Sequence, residues 1–153
     1  MEMGAKLDGR RRQIDIYLSH PLREFACTDE ALRVRKETEA ASLTYKGPKI
    51  DEDTKSREEL KVRVSDADAL MAIFDRLGFK ESGRVEKSRT ICSVSGISVC
   101  LDSVSGLGDF VELEFEGGDL DAGKKAMLSM MQELGLKENE RRSYLELLLD
   151  RKK

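Results

Sequence analysis

Ala31-Leu32-Arg33-Val34-Arg35-Lys36 alternates apolar and basic side chains, and the reading of this alternation decides the fold. Residues two apart in a strand share a face, so Leu32 and Val34 take one side and Arg33 and Arg35 the other. The same period recurs along the chain. Gln13 to Leu18 (QIDIYL) and Ser42 to Lys46 (SLTYK) read as strands, the latter running into a Gly47-Pro48 turn signal. From Glu58 to Val64, Leu60, Val62 and Val64 oppose a row formed by Arg57, Glu59, Lys61 and Arg63. Further strands are expected at Val85 to Val94, Ile97 to Asp102 and Asp109 to Glu116, with Ser95-Gly96 as a hairpin turn. Lys87 and Arg89 share a face, and Glu112, Glu114 and Glu116 share another, opposed by Val111, Leu113 and Phe115.

Two segments carry helical period instead. Leu70, Ile73, Phe74 and Leu77 follow Ser65 or Asp66 as N-cap and end at Gly78. Met127, Met130, Met131 and Leu134 follow Asp119 and end at Gly135, a stripe read as core packing. Arg142 to Leu149 is apolar enough to dock back as a helix. Hairpin-rich strands with two main helices predict an α+β fold built on an antiparallel sheet.

The composition narrows the function. The chain has 153 residues, and charged residues make up 37% of them, against a usual quarter. With 27 basic and 30 acidic residues the net charge is only −3, which gives no support to a nucleic-acid binder. Cys27, Cys92 and Cys100 form no CxxC pair and read as free thiols, with Cys92 and Cys100 on adjacent strands. No apolar run marks a signal peptide or membrane span, so a cytoplasmic location is expected. His20, before Pro21 in a connecting loop, shows no partner for proton transfer and reads as a surface residue.

The charged strand faces admit two readings. Each strand alone fits an apolar side turned to the core and a charged side turned to water. Like charges stacked on several strands also fit a cavity, in which cations hold phosphates and carboxylates hold a divalent metal.

From Gln13 to Leu149 the chain also resembles the CYTH family, also called triphosphate tunnel metalloenzymes. Its members include class IV adenylate cyclases, thiamine triphosphatases and inorganic triphosphatases. The resemblance is carried by QIDIYL, by ALRVR (Ala31 to Arg35) and LTYKGPK (Leu43 to Lys49), and by SREELKV (Ser56 to Val62). VEKSR (Val85 to Arg89) and LDSVSGLGDFVELE (Leu101 to Glu114) follow, and the closing SYLELLL (Ser143 to Leu149) resembles the class IV cyclase-like branch. It implies a closed or nearly closed antiparallel β-barrel with a charged interior and helices outside.

By that resemblance Arg33, Arg35, Lys46, Arg57, Lys87 and Arg89 bind a triphosphate. Glu112 and Glu114 are metal ligands, with Glu59 and Asp102 as further acidic members and Glu2 as an additional candidate. Magnesium or manganese suits such hard oxygen ligands better than zinc. The implied activity is ATP conversion to cyclic AMP and pyrophosphate, or triphosphate hydrolysis; the alternative is a polyphosphate- or nucleotide-binding module without turnover. ATP, thiamine triphosphate and tripolyphosphate are the candidate ligands, with no nucleic acid or membrane partner and a monomer or homodimer as the assembly. No catalytic base is assigned. The family opens with an ExExK strand followed by a helix. Here Gly4 stands at the second Glu, and only Leu7 to Arg12 separate Lys6 from Gln13. A single domain over residues 1–153 is expected, with 1–12 irregular or truncated.

Overall fold

The computed structural model describes residues 4–50, 57–115, 117 and 119–151. In chain order the elements are β1 (Lys6–Ser19), α1 (Phe25–Thr28), β2 (Ala31–Lys36), β3 (Ala41–Lys49), β4 (Arg57–Val64), α2 (Ala67–Arg76), β5 (Lys80–Val94), β6 (Ile97–Val104), β7 (Gly108–Phe115), α3 (Leu120–Glu133) and α4 (Tyr144–Asp150). The hydrogen-bonded strand order is β4-β3-β2-β1-β5-β6-β7. The pairs β1–β2, β2–β3, β3–β4, β5–β6 and β6–β7 are antiparallel. The order has two ends, β4 and β7, so hydrogen bonding among the described residues does not close the sheet into the barrel that the resemblance implies.

The N-terminus differs from its expected irregular form. Lys6 to Arg12 is regular strand, continuous with QIDIYL in the 14-residue β1. Six residues are too few for a three-turn helix, and the chain stays extended instead. Gly47-Pro48 also differs from its expected role as a turn. It lies inside β3, where the register to β4 shifts between Lys46 and Lys49, a bulge that accommodates a proline without a ladder donor.

The chain divides into two compact units, Met1–Arg11 with Lys87–Glu140, and Arg12–Glu86 with Arg141–Lys153. In the second of these, Ile16, Leu18 and Val34 form a buried apolar cluster. Ala67, Leu70, Met71 and Phe74 of α2 pack on it. Asp66 caps that helix by accepting from the Ala69 N–H, as its sequence position predicts. The apolar stripe is rotated from expectation: Ile73 and Leu77 are exposed, and Ala67 and Met71 take part in packing. α4 begins with a capping box formed by Ser143 and Glu146. Its Leu145 side chain lies over Gly83 of β5, where no Cβ would fit without displacing it. His20 accepts from the Leu22 N–H and packs its ring against Phe25 and Phe79, a structural role.

In the other unit, Val94, Ile97 and Val99 form a core with Met130 of α3, and Leu113, Phe115 and Ala126 pack against it. Of the methionine stripe, Met130 is the member buried in this core, while Leu134 is exposed. Ser95 and Gly96, both with positive φ, make the two-residue hairpin between β5 and β6. Cys92 pairs in register with Val99 and Cys100 with Ile91, so the two thiols face opposite sides of the sheet.

Candidate functional site

The strand register sorts each unit into an apolar and a charged face. In the unit containing β2, Asp15 stands opposite Arg35 and Tyr17 opposite Arg33. Arg33 then stands opposite Thr44, Arg35 opposite Ser42, and Lys46 opposite Glu59. This polar row is not a solvated face. Asp15 is 3% exposed, Arg33 9% and Thr44 0%. The solvated reading survives only at the edge, where Lys61 and Arg63 of β4 are exposed.

Buried charge requires a partner, and here the partner is Asp15. Its carboxylate accepts from Arg35 through both oxygens, at 2.6 Å from Nε and 2.7 Å from Nη2. Arg33 reaches the same carboxylate less closely, with Nη1 3.6 Å from Oδ2. Three buried polar atoms of this face have no hydrogen-bond partner: Gln13 Oε1, Arg33 Nε and Thr44 Oγ1. Orphaned polar atoms are rare in folded proteins, and these three lie together on one face.

Lys46 donates to Glu59 at 2.8 Å. Burial, together with the positive charges of Arg33 and Arg57, holds the Lys46 ammonium below the ordinary lysine range, although Glu59 opposes the shift. Burial works to raise Glu59, but Lys46 overrides it and the carboxyl titrates below its usual range. Burial raises the Tyr17 phenol, with Arg33 pulling the other way. Arg57 donates to the carbonyls of Asp29 and Gly47 at 3.2 and 3.1 Å, so part of its guanidinium braces the β3 bulge.

The other unit repeats the device. Arg89 donates from Nε to Asp102 Oδ1 at 2.7 Å and from Nη2 to Oδ2 at 2.5 Å, and Lys87 Nζ donates to Oδ2 at 3.1 Å. Arg89 also donates to Glu112 on β7, and its Nη1 lies 4.0 Å from Glu114. Burial disfavours the Arg89 cation, but Asp102 and Glu112 more than offset this and raise its pKa. Burial likewise works to raise Asp102, and its two cations keep the pKa lowered. Burial pushes the Cys100 thiol up, against the pull of Arg89.

A family model for the CYTH domain matches residues 1–144. The chain belongs to the CYTH family. It is 42% identical over 151 residues to the Methanocaldococcus jannaschii protein named "Putative adenylate cyclase MJ0240", covering 95% of this chain and 86% of that one. It is also similar to the PH1819 protein of Pyrococcus horikoshii, with a TM-score of 0.89, 42% identity, and coverage of 98% of this chain and 89% of that one. The PH1012 protein of the same organism matches with a TM-score of 0.83 and 34% identity, covering 95% and 87% of the two chains.

The acidic residues of this CYTH chain differ in how well they suit a divalent cation. Among the described residues no group of three His, Cys, Asp or Glu side chains is gathered to hold a metal. Asp102 already serves Lys87 and Arg89, and Glu59 serves Lys46, so these two fit poorly as ligands. Glu112 is engaged as well, by Arg89, while the Glu114 carboxylate lies 4.0 Å from that guanidinium. The two glutamates share one face of β7 and their side chains are 32% and 61% exposed. Magnesium typically takes one or two carboxylates and completes its shell with water and phosphate oxygens, which this pair can accommodate. Glu2 lies outside the described residues.

Sequence reasoning did not single out Gln13, Asp15, Tyr17, Ser42 or Thr44. The signal was available: Gln13, Asp15 and Tyr17 share one parity in β1, and the register sets them beside the parity of Arg33 and Arg35. Among the described residues no helix is long and apolar enough to cross a membrane.

Proposed function

We propose that this CYTH protein binds a triphosphate and turns it over with Mg²⁺ or Mn²⁺, either cyclising ATP to cyclic AMP and pyrophosphate or hydrolysing a terminal phosphate. The observation that carries this reading is the buried row around Arg33, whose Nε lacks a hydrogen-bond partner. Buried guanidinium and ammonium groups suit phosphate oxygens, because charge-assisted hydrogen bonds gain strength away from water. In this reading Arg33, Arg35, Lys46 and Arg57 supply the positive field in one unit, and Lys87 and Arg89 supply it in the other. Glu112 and Glu114 hold the metal, which would neutralise phosphate charge and polarise the phosphoryl oxygens. The relationship to a protein named for adenylate cyclase activity supports the nucleotide version.

Binding without turnover is the second reading. Its support is that Arg89 draws Glu112 to itself and comes within 4.0 Å of Glu114, an arrangement that competes with metal capture.

Phosphorus NMR with ATP and then tripolyphosphate, each in Mg²⁺ and in Mn²⁺, distinguishes the outcomes. Cyclic AMP with pyrophosphate, or orthophosphate, is the expected product. Thermal unfolding tests binding alone: tripolyphosphate at 100 times its Kd stabilises the fold by about 2.7 kcal/mol. Unchanged unfolding at millimolar ligand, together with an inert phosphorus spectrum, would remove both readings.

The lowered pKa of Lys46 sets an expected pH dependence. A polyanion binds the protonated ammonium, so the contribution is complete at low pH and disappears as pH rises through the lowered pKa. Titration calorimetry should show tripolyphosphate affinity falling below the pH range of an ordinary lysine. Lys46→Arg should flatten that limb; an unchanged profile would show that Lys46 does not meet the ligand.

A further inference from the structure

The two arginines of the β2 row are held unequally, and the difference points to separate roles. Arg35 is clamped by Asp15 through two short hydrogen bonds in fork geometry. Arg33 lies farther from the same carboxylate, with Nη1 3.6 Å from Oδ2, shares a side-chain hydrogen bond with Tyr17, and has its buried Nε without a partner. All three side chains are close to fully buried. In register, Tyr17 and Thr44 flank Arg33 on the neighbouring strands, so its guanidinium is bounded on both sides.

We propose that Asp15 is a positioning residue: it holds Arg35 as a structural brace and fixes Arg33 so that its unpartnered Nε–H serves a phosphate. This rests on the triphosphate reading and divides the roles of Arg33 and Arg35, both of which the family resemblance implies as triphosphate-binding residues. A carboxylate inside an anion site costs affinity by simple Coulomb repulsion. Its presence is accounted for by orientation, since one misaligned guanidinium forfeits more than a neighbouring negative charge removes. The two effects have opposite signs on replacement. If Asp15 were only a counter-charge, Asp15→Asn would make the row more positive and bind tripolyphosphate more tightly. Positioning predicts the reverse.

The test combines two measurements with sodium tripolyphosphate. Calorimetry compares wild type with Asp15→Asn, and weakening of tenfold or more is expected. Wild-type protein labelled with nitrogen-15 is titrated in parallel, following assigned arginine Nε–H resonances, so the answer survives if Asp15→Asn does not fold. The Arg33 Nε–H signal should move on binding and that of Arg35 should stay in place. Equal movement of both signals, or unchanged or tighter binding by Asp15→Asn, overturns the proposal. If no arginine signal responds and no heat is released with wild type, the triphosphate reading itself has failed. Binding with Arg35 moving alongside Arg33 instead keeps that reading and discards only the division of roles.

Discussion

Arg35→Ala should lower the unfolding free energy by about 3–5 kcal/mol, because it strands the Asp15 carboxylate inside the protein. A surface arginine removed from a solvated strand would change stability by only a few tenths. For a chain of this size the expected loss in Tm is roughly 6–20 °C. Differential scanning calorimetry reads it directly. Replacing both partners with apolar residues of similar volume, as in Asp15→Leu with Arg35→Met, should restore only part of the stability, because the buried Arg33 then loses the carboxylate 3.6 Å from its Nη1, and triphosphate binding should stay impaired. The sign of that recovery matters. Removing one member of a buried pair leaves a charge without solvation, whereas removing both removes their own desolvation cost and leaves only that of the neighbouring Arg33. If Arg35→Ala unfolds at the wild-type temperature, the buried pair described here does not form in solution.

Glu112→Gln together with Glu114→Gln should reduce turnover by about 100-fold or more, equivalent to roughly 2.7 kcal/mol of transition-state stabilisation. Metal-free tripolyphosphate binding should persist and tighten. The reason lies in Arg89, which donates to Glu112 and has Glu114 4.0 Å away. Neutralising both carboxylates frees part of that guanidinium for the anion and removes two negative charges from its surroundings. The two readings of function separate on this variant. An enzyme loses its product signal in the phosphorus spectrum and keeps its ligand, while a binding module shows no product before or after the change. Loss of binding measured with Mg²⁺ present would mean that the anion reaches the protein through a metal bridge on these carboxylates, rather than through cations.

Asp102 and Glu59 show why a charged residue's chemistry is hard to assign from its position in a sequence. The resemblance implies both as acidic members of a metal site, and in the structure both meet cations: Asp102 is shared by Lys87 and Arg89, and Glu59 meets Lys46. A carboxylate within a strand looks the same in the sequence whether its neighbour across the sheet is a cation or an open ligand position. Asp15 was passed over for the same reason. Within QIDIYL it is one polar residue in an alternating strand, and only the β1–β2 register makes it the partner of Arg35.

The alternation of residue types determined a great deal without further help. β2 runs from Ala31 to Lys36 and the second main helix begins after Asp119, as the pattern requires. The segregation of Arg33, Arg35, Lys87, Arg89, Glu112 and Glu114 from their apolar neighbours also follows from period two. These are local properties, set by strand geometry and capping chemistry within a few residues. Burial and pairing are not local. Whether a charged face meets water or protein depends on which strands lie beside it, and that neighbourhood joins residues far apart in the chain. Tertiary structure therefore decided that the Arg33 and Arg89 rows are buried, that Asp15 and Asp102 balance them, and that Leu7 to Arg12 extends a strand. The physical reason is desolvation: once the sheet removes these charges from water, each must find a partner, and only the fold determines which partner is within reach.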